Sequence, residues 1–181
     1  MARIVVTGAT GRVGANIVKR LGENGHEVSA YLLSGDGQEA KLEGIACQKA
    51  YGDILDTQAV AAAIRGADAV VHSAAVMENV ADKMPASQFF DINVKGAFNV
   101  LEAARHSGRP THLICFSSAS VYDVFTCPRA PLKETAERRP LSLYGLTKIL
   151  VEDQVRQYGW HYDLRCTVLR PNYIVAGAEV L

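Results

Sequence analysis

The sequence predicts an α/β fold, a doubly wound parallel sheet with helices on both faces, and two observations carry that reading. Short β-branched runs alternate with longer stretches of helical period along the 181 residues, the pattern of parallel strands joined by crossover helices. The run Thr7-Gly8-Ala9-Thr10-Gly11-Arg12-Val13-Gly14 follows the first strand directly and opens the first helix. A chain of this length buries roughly 70% of its unfolded surface, so residues 1–181 read as one domain that needs no staple or metal.

Strands are expected near Arg3 to Val6, Glu27 to Leu32, Ala46 to Tyr51, Asp68 to His72, His112 to Phe116 and Cys166 to Leu169. In the first helix Val13, Ile17 and Leu21 share a face, and in the fourth Phe90, Val94, Ala97, Phe98 and Leu101 do. Both sets have the spacing of a buried stripe. Between Ser118 and Leu141 the period lapses, and Pro128, Pro131 and Pro140 break any helix. A structureless stretch of that length in a compact domain is expected to cover a site. Six strands in right-handed βαβ order place a ligand where the strand order reverses.

Composition narrows the partners. Nineteen Lys plus Arg balance nineteen Asp plus Glu, which leaves no electrostatic footprint for nucleic acid or an anionic membrane. A small-molecule substrate is the better expectation. Cys47, Cys115, Cys127 and Cys166 show neither CxxC nor metal-ligand spacing, so no metal is expected and free thiols in a cytoplasmic protein account for them. The start runs straight into an apolar strand without the charged and hydrophobic regions of a leader, and no apolar run approaches the roughly 20 residues of a membrane span.

Gly8, Gly11 and Gly14 stand where a pyrophosphate would meet unpaired N–H groups and the positive end of a helix dipole, with Thr10, Arg12 and Val13 between them. This is the placement of a dinucleotide-binding, Rossmann-type loop. Asp53, followed by Ile54 after the third strand, is suited to accept from an adenine amino group or to serve as a turn aspartate, while Asp56 suits the N-cap of the next helix. NAD and NADP both remain open. The second strand ends Ala30-Tyr31-Leu32-Leu33-Ser34 without a carboxylate, and Arg12 with Ser34 offers partners for a 2′-phosphate, which tilts the expectation toward NADP.

Tyr144 and Lys148 lie one turn apart on one helical face. An ammonium beside a phenol favours phenolate and brings its proton into reach of general acid and base work. Ser118, at the end of the fifth strand, is placed to donate to an oxygen on which charge develops. Ser117 and Ser120 compete for that role, and the spacing before Val121 favours Ser118. Asn93 is a candidate to kink the fourth helix and to relay protons from Lys148, or is simply a locally bonded helix asparagine.

These residues resemble the extended short-chain dehydrogenase/reductases, the NAD-dependent epimerase/dehydratase family. The resemblance rests on Thr7-Gly8-x-x-Gly11-x-x-Gly14, Gly52-Asp53, His72-Ser73-Ala74-Ala75, Asn93-Val94-x-Gly96, Ser117-Ser118-x-x-Val121-Tyr122, Tyr144-x-x-x-Lys148 and Leu169-Arg170-Pro171. It implies a catalytic triad of Ser118, Tyr144 and Lys148 with Asn93 as a fourth member. It also implies coenzyme contacts from the glycine loop, Asp53, Ile54, Ala74, Ala75, Tyr144, Lys148 and Pro171. The implied reaction moves a hydride between nicotinamide and a carbonyl or secondary alcohol. Tyr122 is read as a pocket wall.

Members of that family usually continue past the Leu169-Arg170-Pro171 segment into a substrate domain, which is expected to be missing here. That favours a second reading, a non-catalytic dinucleotide-binding or redox-sensing module. It also leaves Val76, Met77, Tyr122, Val124, Phe125, Tyr173 and Ile174 as an expected exposed apolar patch. The family commonly forms homodimers through the helices carrying Asn93 and Tyr144, and Leu146, Ile149, Leu150, Val151 and Val155 give the latter apolar residues on more than one face.

Overall fold

The computed structural model describes residues 1–77, 84–123, 131–172 and 174. Strands β1 (Arg3–Thr7), β2 (Glu27–Leu32), β3 (Gln48–Tyr51), β4 (Ala69–His72), β5 (His112–Phe116) and β6 (Cys166–Leu169) form one sheet in the order β3-β2-β1-β4-β5-β6. Every neighbouring pair is parallel. The expected strands are all present, with β3 starting at Gln48 rather than near Ala46. Strand order reverses between β1 and β4, and the carboxyl ends of those two strands flank the crevice that doubly wound sheets use for ligands.

The helices are α1 (Arg12–Glu23), α2 (Thr57–Ile64), α3 (Ala86–Phe90), α4 (Gly96–Arg105) and α5 (Leu143–Tyr162), and a π turn (Asp91–Lys95) joins α3 to α4. Strand alternation divides the interior into two cores. Val5, Val70, Leu113 and Cys115 pack with α2, α4 and α5, while Ile4, Val6, Val28, Ala30 and Leu32 pack with Ala15 and Val18 of α1. Period-two patterning thus assigns successive residues of β1 to opposite layers.

Two expected helix faces need correction. In α1 it is Gly14, Ala15 and Val18 that are fully buried, whereas Val13, Ile17 and Leu21 are half-buried. Gly14 lies inward because a Cβ there would run into the Gly8 carbonyl and Ala9, and Ala15 and Val18 pack on the β1–β2 face of the sheet. In the fourth helical stretch Phe89, Asn93, Ala97, Val100 and Leu101 are buried, while Phe98 stays 44% exposed. The π turn bonds i to i+5 and shifts the phase that a uniform 3.6-residue period assumes. Among the described residues no helix is long and apolar enough to cross a membrane, and Cys47, Cys115 and Cys166 are free thiols. Cys127 and Pro128 lie outside the described residues.

Candidate functional site

The glycine loop is built by close backbone approach. A Cβ at Gly8 would lie 2.7 Å from Ala74 Cα and 2.7 Å from its nitrogen, and one at Gly14 would lie 2.1 Å from the Gly8 carbonyl oxygen. Gly11 closes the turn by donating to the Gly8 carbonyl at 3.0 Å. At the head of α1 Gly11 offers no side-chain cap, and the first turn carries no acidic residue. The positive end of the helix dipole therefore faces the crevice without a carboxylate of its own, the condition for an anion site. These features fit a bound dinucleotide: a pyrophosphate needs a loop whose backbone it can reach, and glycine at positions 8, 11 and 14 leaves that backbone uncovered by side chains of its own.

The wall opposite the loop is the end of β4. Ser73 Oγ donates to the Thr7 carbonyl at 2.7 Å, and Thr7 Oγ1 lies 2.8 Å from His72 Nδ1. Burial drives the His72 pKa down to about 3, helped by the positive charge of Lys148, so the imidazole is neutral and hydrogen-bonded inside the sheet. Ala74 and Ala75 continue half-buried along the same edge.

Asp53 is exposed and its Oδ1 accepts from the Leu55 amide at 2.9 Å, an Asx turn. Asp56 caps α2 as expected, accepting from the amides of Gln58 at 2.9 Å and Ala59 at 3.1 Å. The Ile54 side chain is turned into the core, and its carbonyl accepts from Asn99 at 3.0 Å.

Helix α5 starts at Ser142, whose hydroxyl accepts from the Gly145 amide at 3.0 Å. It then runs against the 3-10 turn Ala119–Val121 that follows β5. A Cβ at Gly145 would fall 2.2 Å from the Ser120 carbonyl oxygen, so glycine at this position lets the helix seat against the serine turn. Lys148, one turn on, is 4% exposed. Its Nζ donates to the Phe116 carbonyl at 2.9 Å and lies 5.5 Å from the centre of the Tyr144 ring. Burial holds the Lys148 pKa below its ordinary value, and nearby Cys115 only partly offsets that.

The three serines separate by their partners. Buried Ser117 donates to Glu152 Oε1 at 2.5 Å. Ser118 is half-buried, accepts from the Ser120 amide and donates to the Ser120 hydroxyl, both at 3.1 Å. Pro171 lies alongside, its carbonyl accepting from the Ala119 amide at 2.9 Å. Asn93 sits in the π turn. Its Oδ1 accepts from the Val76 amide at 2.7 Å, and its Nδ2 donates to the Val76 carbonyl at 3.0 Å and to Thr147 Oγ1 at 3.1 Å.

A second cluster escaped the sequence reading. Glu152, one turn beyond Lys148 on α5, receives Arg170 Nε at 2.7 Å and Nη2 at 2.6 Å, and Arg138 Nη1 at 3.2 Å. Burial would raise the Glu152 carboxyl, but hydrogen bonds from Arg170, Ser117 and Arg138 outweigh it and hold the group below the usual carboxylate range. Arg170 also donates to the Tyr122 hydroxyl. Tyr122 is consequently 7% exposed and does not belong to the expected apolar patch. Met77 and Ile174 are exposed and Val76 half-buried; Val124, Phe125 and Tyr173 lie outside the described residues. A cavity of about 640 Å³ is lined by Tyr122, Glu152, Arg156, Leu169, Arg170 and Asn172 among others. It opens beside β6, with Val168 and Leu169 in its wall.

The sequence profile of the NAD dependent epimerase/dehydratase family matches residues 4–177. Sterol demethylase protein B of Methylococcus capsulatus is 34% identical over 119 residues, 65% of this chain and 35% of that protein. The dTDP-glucose 4,6-dehydratase of Mycobacterium tuberculosis is 33% identical over 174 residues, 92% of this chain and 51% of that protein. Among solved structures, the UDP-glucose 4-epimerase of Brucella ovis in complex with NAD superposes with a TM-score of 0.82 at 27% identity, covering 94% of this chain and 51% of that one. The chain thus spans between about a third and about half of the length of these relatives.

Proposed function

The chain belongs to the NAD dependent epimerase/dehydratase family, and we propose that it binds a nicotinamide dinucleotide and moves a hydride between it and a carbonyl or secondary alcohol. Bound nicotinamide would supply or accept the hydride; everything else falls to this chain's side chains. The backbone of Gly8, Thr10, Gly11, Arg12, Val13 and Gly14 holds the pyrophosphate, with Asp53 and Ile54 at the adenine end and Ala74, Ala75 and Pro171 along the crevice. Tyr144 gives and takes the substrate proton, Lys148 steadies the phenolate and orients the ribose, and Ser118 donates to the substrate oxygen. Asn93 ties Val76 to the helix of Tyr144 and Lys148. A nucleotide sugar is the substrate class suggested by the dehydratase and epimerase relatives. Exposed Phe98, Leu146 and Leu150 on α4 and α5 support a homodimer through those helices.

The observation that carries this reading is Lys148, a lysine buried to 4% exposure and one turn from Tyr144 at the same sheet edge as an uncapped glycine loop. Burying a lysine costs desolvation, and groups so perturbed cluster at functional sites. The second reading is a non-catalytic dinucleotide-binding module, which would use the glycine loop without calling on Tyr144 or Ser118. Titration with NADH and NADPH, followed by nicotinamide fluorescence and melting temperature, tests binding; no saturation by either coenzyme overturns both readings. The Tyr144→Phe variant then separates them. Loss of about 10²- to 10⁴-fold in turnover with unchanged coenzyme affinity is expected for general acid–base work, and retained turnover removes Tyr144 from the mechanism.

A further inference from the structure

The sheet releases the chain after β4 before the wall of the crevice is complete. His72 is the last residue of β4 to pair with β1 and β5, and Ser73 keeps one amide bond to the Thr7 carbonyl at 3.3 Å. Further along, Val76 has a side chain in place of a strand neighbour. Asn93 Oδ1 accepts from the Val76 amide at 2.7 Å and Asn93 Nδ2 donates to the Val76 carbonyl at 3.0 Å, so one carboxamide satisfies both backbone groups. The other Nδ2 hydrogen goes to Thr147 Oγ1 at 3.1 Å, and the Thr147 hydroxyl donates in turn to the Tyr144 carbonyl at 2.8 Å. A carboxamide nitrogen carries two hydrogens and a hydroxyl one, so every donor in this series is used. Thr147 is 0% and Asn93 2% exposed, and a donor stranded at such depth is costly.

We propose that Thr147 is a positioning residue, whose hydroxyl fixes the crevice wall of Ala74, Ala75 and Val76 against the helical turn carrying Tyr144 and Lys148; the proposal rests on the coenzyme reading above. Thr147 stands between those two residues on α5 but lies wholly inside the protein, so it acts through Asn93 and Tyr144 and touches no ligand. A helical threonine often returns its hydroxyl to a carbonyl of the preceding turn, which serves only its own helix. Here the same oxygen also accepts from the π turn, 54 positions away in sequence. Valine would fill the same space, so volume does not call for threonine; the hydroxyl is what Asn93 requires. With the series complete the wall is held before coenzyme arrives, and little ordering remains to be done on binding.

Fluorescence titrations with NADH and with NADPH on wild type, Thr147→Val, Thr147→Ser and Thr111→Val decide the matter. Thr111 is the control: it is likewise buried, and its hydroxyl donates to the Ala67 carbonyl at 2.8 Å, at the amino ends of β4 and β5 and away from the crevice. Thr147→Val is expected to raise the dissociation constant of the tighter-binding coenzyme about three- to tenfold, the worth of one such hydrogen bond. Thr147→Ser, which keeps the hydroxyl, is expected to bind as wild type does, and so is Thr111→Val even where its melting temperature falls as far as that of Thr147→Val. A folded Thr147→Val protein with wild-type affinity overturns the proposal, as does a loss shared by Thr147→Ser or Thr111→Val. Hydrogen exchange of wild type gives a test that needs no variant: the Val76 amide is expected to exchange slowly, and exchange at the rate of an open chain overturns the proposal too. Failure of wild type to bind either coenzyme is a different result: it removes the coenzyme reading itself, and this inference with it.

Discussion

A methyl group at Gly14 would stand 2.1 Å from the Gly8 carbonyl oxygen, with backbone rather than a movable side chain in its way. The loop must open to admit it, and the N–H groups that would meet a pyrophosphate move with it. Gly14→Ala is therefore expected to lower melting stability by about 1–3 kcal/mol, the usual range for overpacking, and to weaken NADH binding by at least about tenfold in a fluorescence titration. A variant that binds NADH normally would show that the loop does not contact the coenzyme. The glycine spacing that suggests this site was plain in the sequence. The roles of neighbouring serines were not: Ser117, Ser118 and Ser120 differ only in what each meets, and Ser117 is committed to a carboxylate 35 positions away.

At the scale of elements, the Glu152 cluster joins β5, α5, β6 and the 131–142 segment. Arg170 grips the carboxylate with two nitrogens, Arg138 adds a third contact, and Ser117 beside Ser118 supplies a fourth. Glu152 is 3% exposed at its side chain, while Arg170 is 18% and Arg138 20% exposed. Removing one partner of such a pair strands the other charges. Glu152→Gln is expected to cost about 3–5 kcal/mol, measured by urea unfolding, and Glu152→Asp less. A loss below about 1 kcal/mol would place the cluster among surface pairs of little consequence. The sequence offered one clue to it, since Glu152 follows Lys148 at the same four-residue step by which Lys148 follows Tyr144. Its partners come from Arg138 and Arg170, to which helical periodicity does not reach.

At the scale of the whole molecule, buried His72 contributes an acid sensitivity. His72 is 3% exposed, and burial sets its pKa at about 3 against 6.5 for the free side chain. The unfolded chain takes up this proton near pH 6.5 and the native one only near 3, so between those values the unfolded state holds more protons. Stability contributed by neutral His72 is complete above pH 6.5 and is lost as the pH falls toward 3. His72→Asn, which offers an amide to Thr7, is expected to flatten the decline in melting temperature between pH 6.5 and 4. An unchanged slope would assign the acid sensitivity to other groups. Coenzyme acts on the same equilibrium: at about one hundred times its dissociation constant it is expected to add about 2.7 kcal/mol.

By itself the sequence determined the sheet, its strands and the glycine loop, because alternation of two and the signature of a strand–turn–helix are local and survive without the rest of the chain. Tertiary structure decided what faces what. The π turn moved the buried face of α3 and α4 off the row that uniform periodicity marks, because one wide turn resets the phase of everything after it. Folding also carried Lys148 to the Phe116 carbonyl, 32 positions away, and Asp36 to Thr10, 26 positions away. Hydrogen bonds over such separations depend on how strands and loops come together in space, which no spacing along the chain encodes.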